Sequence, residues 1–219
     1  MSSILVLGAS GRTGEHVVKY ALANGHSVTA LVRNPAKLAQ RTGLTIVEGT
    51  PESQDDIAAA IEGTDAVISA LGNVRTSDMP WAKQVSPPDF MAEATRKTVK
   101  LMAANGVRRI VIVSALGVGD SWSSAPAYLR WTVKYTNLGT VYVDHNKLDA
   151  EIRQADVDWT LLRAVLLTDS HEVGQIQVRF VPDKPASMRI SRRHVARFAV
   201  DALADDTLIG TAPIISDAK

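Results

Sequence analysis

Three glycines, each separated from the next by two residues, join a strand-like run to a helical one. They are Gly8, Gly11 and Gly14, and the apolar run Ile4–Leu7 stands directly before them. The helical stripe after them comprises Val17, Val18, Ala21 and Leu22. In a strand–turn–helix unit, such glycines permit a tight turn, a close approach of the backbone to a ligand, and close packing of the helix. The pattern therefore predicts a βαβ unit with phosphate-binding amides at the start of its helix.

Short β-branched runs alternate with amphipathic segments over the first 165 residues, which is typical of a parallel sheet. The strand candidates are Ile4–Leu7, Ser27–Val32, Thr45–Val47, Ala66–Ser69, Arg109–Val113 and Trp159–Leu162. We expect an α/β chain with a single-domain Rossmann fold over residues 1–219, built on a doubly wound parallel sheet. Residues 165–219 are too few for an independent domain. We expect them to form a short substrate-side extension over the carboxyl edge of the sheet, with strand Gln175–Val181 and a last helix Arg192–Leu203.

Charge and composition exclude several classes of function. The formal net charge is only +1, which predicts no strongly basic surface for a polyanionic backbone. We therefore expect no nucleic-acid partner. The chain has no cysteine, and no spacing of histidines and carboxylates predicts a metal site. The first eight residues predict a strand and not a leader, and no apolar run reaches membrane-spanning length. We expect a cytoplasmic monomer or homodimer that acts on a small molecule and needs no membrane.

The end of the second strand predicts the choice of dinucleotide. Chains specific for NAD place a carboxylate there for the ribose, whereas this chain has Arg33, with Lys37 one helical turn later. An arginine fork pairs with a 2′-phosphate, so NADP(H) is the expected cofactor. The alternative is an arginine solvated in a loop. Further candidate cofactor contacts are Ser10, Arg12 and Thr13 in the first turn, and Leu71 and Gly72 after the fourth strand.

Five segments together resemble one family over nearly the whole chain. They are residues 8–14, Leu31-Val32-Arg33, residues 65–72, residues 106–115, and Asp144-His145 through to Trp159-Thr160-Leu161-Leu162-Arg163. The combination resembles the atypical short-chain dehydrogenase/reductase family, in the subgroup that holds NmrA-like proteins and flavin reductase (biliverdin reductase B)-like proteins. The late segment Ile190-Ser191-Arg192-Arg193-His194 is similar to the start of that family's last helix.

The resemblance implies where the nicotinamide binds. Ser114, at the end of the fifth strand, and His145 would border the ring as catalytic residues, and Ala164 and Val165 would lie in the loop that covers it. A turn-capping serine and a packed core histidine are the alternatives. The family's reductase has two prolines and a histidine after the sixth strand, whereas this chain has Ala164-Val165-Leu166 there, which puts biliverdin specificity in doubt. His171 follows in a polar loop and does not replace that histidine.

The proton relay of typical short-chain dehydrogenases is absent. That relay needs a tyrosine four residues before a lysine, on one helix face. None of the four tyrosines has a lysine four residues later. The residues at those positions are Asn24, Thr132, Gly139 and Asn146. Val141 occupies the tyrosine's place. Trp122 lies in a glycine- and serine-rich loop that is either a lid with a stacking ring or an exposed variable loop, and Met79-Pro80-Trp81 is a further candidate cleft segment.

Two hypotheses follow, and a third is weaker. The first is an NADPH-dependent reductase that passes hydride to a flat conjugated acceptor of flavin or quinone type, which can take its proton from solvent. The second is a non-catalytic NADP(H)-sensing regulator of the NmrA-like kind, which the missing relay favours. The third, a sugar-nucleotide epimerase or dehydratase, is disfavoured by the short carboxyl tail and by the same missing relay.

Overall fold

The computed structural model describes residues 1–170 and 174–218, so His171 lies outside the described residues. The strands are β1 Ser3–Leu7, β2 Ser27–Val32, β3 Leu44–Glu48, β4 Ala66–Ser69, β5 Arg109–Ala115, β6 Asp158–Ala164, β7 Leu166–Thr168, β8 Ile176–Arg179, β9 Arg189–Ser191 and β10 Ile214–Asp217. The α-helices are α1 Gly14–Ala23, α2 Gln54–Ile61, α3 Phe90–Ala104, α4 Ala127–Tyr135, α5 Leu138–Gln154 and α6 Arg192–Asp201.

The central sheet has the strand order β3-β2-β1-β4-β5-β6-β10-β8. Every neighbouring pair is parallel except β10 and β8, which are antiparallel. The predicted α/β class with a mostly parallel, Rossmann-type sheet is therefore confirmed. The predicted strands are all present, and most extend one or two residues beyond the predicted bounds.

Helices cover both faces of the sheet, as the apolar strands require. In β1, Ile4 and Val6 point to the face that α1 and α6 cover. Leu5 and Leu7 point to the opposite face, against α2, α3 and α5. Because both faces are buried, strand β1 needs apolar residues at every position, which explains the continuous run in the sequence.

The extension after residue 165 is placed differently from what the sequence predicts. Strands β10 and β8 lengthen the main sheet beyond β6, and α6 packs beside α1 on one of its faces. Only β7 and β9 pair separately, as a two-stranded sheet. The sequence missed β10 because Ile214 and Ile215 are its only two apolar residues, and their partners in β6 lie about fifty residues away. Helix α6 ends at Asp201 and is followed by a 3-10 turn, Ala202–Ala204.

The sheet order reverses between β1 and β4, which is where α/β sheets of this kind form a ligand crevice. The glycine-rich turn leaves the carboxyl end of β1, and Ser114 lies at the carboxyl end of β5. Among residues 1–170 and 174–218, no helix combines the length and the apolar character that crossing a bilayer requires.

Candidate functional site

A cleft opens at the carboxyl ends of β1, β2 and β4. Its lining includes seven of the sequence candidates, namely Gly8, Ser10, Gly11, Arg33, Lys37, Leu71 and Gly72. It also includes Pro51 and Phe90, which the sequence did not single out. Pro51 follows β3 and Phe90 is the first residue of α3. Their positions just after a strand and at the start of a helix are the sequence features that could have indicated a place in the cleft. The cleft therefore joins the glycine-rich turn to the cationic end of β2.

The glycines of the first turn leave no room for side chains. Gly8 has φ +78°, and a Cβ on it would lie 2.6 Å from the carbonyl oxygen of Ala70. A Cβ on Gly14 would overlap the carbonyl group of Gly8, whose carbon would be 2.7 Å away. The Gly11 N–H donates to the Gly8 carbonyl over 2.9 Å and closes the turn. A ligand can thus approach the backbone here as closely as the motif predicts.

The start of α1 carries no side-chain cap. Thr13 stands at the N-cap position, and its side chain makes no capping hydrogen bond. The Glu15 and His16 N–H groups donate to carbonyl oxygens within the turn, over 2.9 and 3.0 Å. Ser10 and Gly11 are exposed at the cleft, whereas Thr13 is buried in the turn. The exposed backbone of the turn and the helix dipole favour phosphate here.

Arg12 is held by carboxylates from two other segments. Its Nη1 and Nη2 donate to Asp78 over 2.9 and 2.7 Å, and Asp169 lies 3.9 Å away. Asp78 belongs to the connection between β4 and α3, and nothing in the local sequence predicted this partner. Because the Arg12–Asp78 pair is more than half exposed, it contributes about 1 kcal/mol or less. A diphosphate can therefore compete for Arg12 at low cost.

Arg33 and Lys37 carry the positive charge of the cleft. Both side chains are exposed, and neither forms a hydrogen bond or an ion pair with any residue in the described part of the chain. Asn34, between them, uses its side chain to cap the short turn that carries Lys37, accepting from the Ala36 N–H over 3.0 Å. Two cations without carboxylate partners fit a phosphate group and not a ribose hydroxyl.

Ser114 and His145 meet in the interior. The Ser114 Oγ lies 3.3 Å from the His145 Nδ1, and both residues are buried. Burial lowers the pKa of His145 to about 4, and the neighbouring charge of Asp144 opposes this shift only in part. The imidazole is therefore neutral near pH 7, so the pair forms an uncharged hydrogen bond beside the carboxyl end of β5.

Tyr142 shows why no proton relay operates from α5. Its hydroxyl donates to the Leu116 carbonyl oxygen over 2.9 Å, and burial raises the pKa of Tyr142 to about 12. Lys147 points elsewhere, where it pairs with Asp89 over 2.7 Å. The phenol is thus neutral and engaged, without an ammonium to lower its pKa.

The remaining candidates lie around this centre. Ala164 and Val165 are buried in the core behind Ser114, and Ala164 accepts a hydrogen bond from the Leu116 N–H over 2.9 Å. They line the same strand end as Ser114 but not the cleft. Trp122, Met79 and Trp81 have exposed side chains. The described residues contain no group of histidines and acids that could hold a metal ion.

Asp144 is a structural anchor that the sequence did not reveal as such. Its carboxylate accepts from the Met91 and Ala92 N–H groups, each over 3.0 Å, and so caps α3 from a neighbouring helix. The same carboxylate accepts from the Asn73 Nδ2 over 3.0 Å. One buried carboxylate thereby joins α5, the start of α3 and the connection that follows Gly72.

Comparisons of the sequence agree with this geometry. The sequence model of the NAD(P)H-binding family matches residues 8–206. The photosystem II assembly factor Ycf39 of Synechocystis is 31% identical over 97% of this chain and 62% of its own length. An isoflavone reductase homolog of Zea mays is 39% identical over 35% of this chain. That match spans 28% of the maize protein, so the chain covers less than two thirds of either relative's length.

Solved structures share the fold at low sequence identity. The anaerobilin reductase ChuY of Escherichia coli O157:H7 has a TM-score of 0.80 at 19% identity, covering 98% of this chain and 97% of that one. A short-chain dehydrogenase/reductase of Veillonella parvula, solved in complex with NADP, has a TM-score of 0.78 at 18% identity, covering 99% and 95%. These likenesses concern the fold, and the matched family model spans the glycine turn and strands β2 to β9. The chain belongs to the NAD(P)H-binding family.

Proposed function

We propose that this chain is an NADPH-dependent reductase that passes hydride to a flat conjugated acceptor of flavin or quinone type. The observation that carries the choice of NADPH is the pair of cations Arg33 and Lys37, which face the cleft without any described carboxylate partner. An acid in their place would repel a 2′-phosphate. The family membership supports the reductase class, and the ChuY fold likeness is consistent with it.

The protein holds the phosphates of the coenzyme at two places. The start of α1, with Ser10 and Gly11, binds the diphosphate, and Arg12 exchanges its Asp78 partner for a phosphate oxygen. Arg33 and Lys37 bind the 2′-phosphate. When bound, the reduced nicotinamide supplies a hydride with two electrons, and the acceptor completes its reduction with a proton from solvent.

Ser114 and His145 orient the reacting groups. Their 3.3 Å hydrogen bond leaves Ser114 Oγ with two lone pairs if the hydroxyl donates to His145, or with its proton and one lone pair if it accepts. Either state can bond a carboxamide, and the second can donate to an acceptor oxygen. His145 stays neutral and so places no cation beside the ring that donates hydride. Because conjugated acceptors need no enzyme acid, the engaged phenol of Tyr142 is no obstacle to this reaction.

The test of this proposal combines turnover with cofactor discrimination. Purified protein with NADPH and FMN, FAD or a benzoquinone should oxidise NADPH, followed by absorbance. Arg33→Ala should weaken NADPH binding about tenfold or more and NADH binding about twofold or less, because one charged hydrogen-bonding partner is lost only for the phosphate. Arg41→Ala is the matched control, since Arg41 is exposed in the same β2–β3 connection and does not line the cleft. Equal losses for both coenzymes would overturn the phosphate assignment.

A non-catalytic NADP(H)-sensing role is the second candidate, and the engagement of Tyr142 with Leu116 favours it. In that case NADPH binds with the same dependence on Arg33, but no acceptor accelerates its oxidation. Saturable binding without turnover over all three acceptor types would select this role over the reductase.

A further inference from the structure

The segment that follows Ser114 is fixed by one face of α5. The residues of that face are spaced as neighbours on a helix, at positions i, i+3, i+4 and i+7, and they are Tyr142, His145, Asn146 and Asp149. The first two bind Leu116 and Ser114, as described above. Asn146 accepts from the Gly119 N–H over 2.8 Å. Tyr142 and Asn146 therefore bind the backbone between Ser114 and Gly119, and His145 binds the Ser114 hydroxyl.

The fourth side chain, Asp149, acts through a buried arginine. Arg163 of β6 stands beside Ser114 in the sheet, and its side chain is 1% exposed. Its Nη2 donates to Asp149 over 3.1 Å and also to Asp120, in the 3-10 turn Gly119–Trp122. A buried guanidinium must be paired, because an unpaired charge in the interior is costly. The turn is thus tied to the core by an ion pair.

Asp120 accepts one of the two side-chain hydrogen bonds that Arg163 makes within the described residues. The Nε and Nη1 of Arg163 have no hydrogen-bond partner within the described residues, so its side-chain bonds run through Nη2 alone. Asp149 is also shared with Arg153, over 2.7 Å, and Arg153 in turn reaches Asp120 over 3.3 Å. Two acids and two arginines balance in charge. Loss of the Asp120 charge would leave two guanidiniums on one carboxylate.

The backbone of the turn runs directly over this cluster. Gly119 has φ +56°, and a Cβ on it would lie 2.9 Å from the Asp149 Oδ2 and 3.2 Å from the Arg163 Nη2. Only glycine fits at this distance, because the backbone of the turn lies in direct contact with the ion pair. Next in the turn, Trp122 packs near Gly117, where a Cβ would lie 3.8 Å from its ring.

We propose that Asp120 is a positioning residue, whose ion pair with Arg163 fixes the turn Gly119–Trp122 and with it the acceptor side of the site beyond Ser114. This inference rests on the proposed reductase function. None of the residues 114–122 lines the coenzyme cleft. The ion pair therefore lies apart from the residues that would hold the phosphates of the coenzyme, so its loss is expected to leave most of the coenzyme's binding energy unchanged. Asp120 does not touch the reacting atoms itself.

The test compares Asp120→Asn with Asp156→Asn. Asp120 is 57% exposed at its side chain, so the variant is compatible with folding. Asp156 also pairs with an arginine, Arg108, but its side chain is 96% exposed at the opposite end of β6. Both variants lose one charge from an arginine pair, and only the first is expected to disturb the site.

Three readouts separate positioning from general destabilisation. In Asp120→Asn, amide hydrogen exchange in the peptide covering residues 116–122 should quicken about tenfold or more, because the turn opens locally. The KM for a benzoquinone should rise about fivefold or more, with kcat lowered less and the NADPH Kd within about twofold. Asp156→Asn should match the wild type in all three.

Opposite outcomes would overturn the proposal. Unchanged exchange in residues 116–122 would show that Asp120 does not hold the turn, and a parallel rise in NADPH Kd would assign the turn to the coenzyme. If the wild-type protein bound NADPH but reduced no acceptor, the proposed function would fail. The exchange comparison would then still decide whether Asp120 fixes the segment.

Discussion

His145 makes the stability of this protein depend on pH on the acid side of neutrality. Burial lowers the pKa of His145 from 6.5 to about 4 in the folded chain, whereas unfolding returns the imidazole to water and to its ordinary pKa. Between these two values the unfolded chain binds a proton that the folded chain does not. The free energy of unfolding therefore falls as the pH falls through this window, and this part of it is fully present above about pH 6.5.

The two pKa values set the size of the effect. They give a loss of about 2 kcal/mol between pH 7 and pH 5, most of it below about pH 6. In His145→Asn, the amide stands near the position of Nδ1, so it can still bond Ser114, but it does not titrate. The substitution removes this histidine alone, so the difference between the two proteins isolates His145.

Urea unfolding of both proteins at pH 7 and pH 5 measures this difference. The wild type should lose about 2 kcal/mol more than His145→Asn over this interval, with equal slopes against urea. If the two losses agreed within about 0.5 kcal/mol, the imidazole would be as easily protonated in the folded chain as in water. The argument from burial would then be refuted.

Two further predictions concern the turn and the site. Gly14→Ala should lower the free energy of unfolding by about 1–3 kcal/mol, since its Cβ would stand 2.7 Å from the Gly8 carbonyl carbon. Gly72→Ala should leave stability nearly unchanged, because a Cβ there meets no atom within 4 Å, and equal thermal shifts for the two would contradict the packing argument. Ser114→Ala should lower kcat with a quinone about tenfold, through loss of one hydrogen bond to the reacting groups. Steady-state kinetics at saturating NADPH test this, and an unaltered kcat would remove Ser114 from the mechanism.

Local sequence was sufficient where the physics is local. The glycine turn at Gly8, Gly11 and Gly14 needs only a strand, a tight turn and a helix in succession, and the structure forms it as expected. The cationic end of β2 follows from the strand before it, so Arg33 and Lys37 arrive at the same cleft. The role of these residues in binding stays a proposal.

Pairings between distant segments were not accessible in the same way. Arg12 and Asp78 are 66 residues apart in the chain, and Asp120 and Arg163 are 43 apart. Each partner is an ordinary charged residue in its own neighbourhood. Only the packing of two elements against each other brings the charges within bonding distance, so no periodicity or spacing in the sequence predicts these ion pairs.

The sequence by itself determined the class of the fold, the place of the glycine-rich turn and the missing tyrosine–lysine relay, because each depends on residues a few positions apart. The tertiary structure alone decided that β10 extends the sheet, that Asp144 caps α3, and that Asp120 forms an ion pair with Arg163. The physical reason is burial. Whether a polar group is solvated or must find a partner is set by what covers it, and that is decided only when the chain has folded.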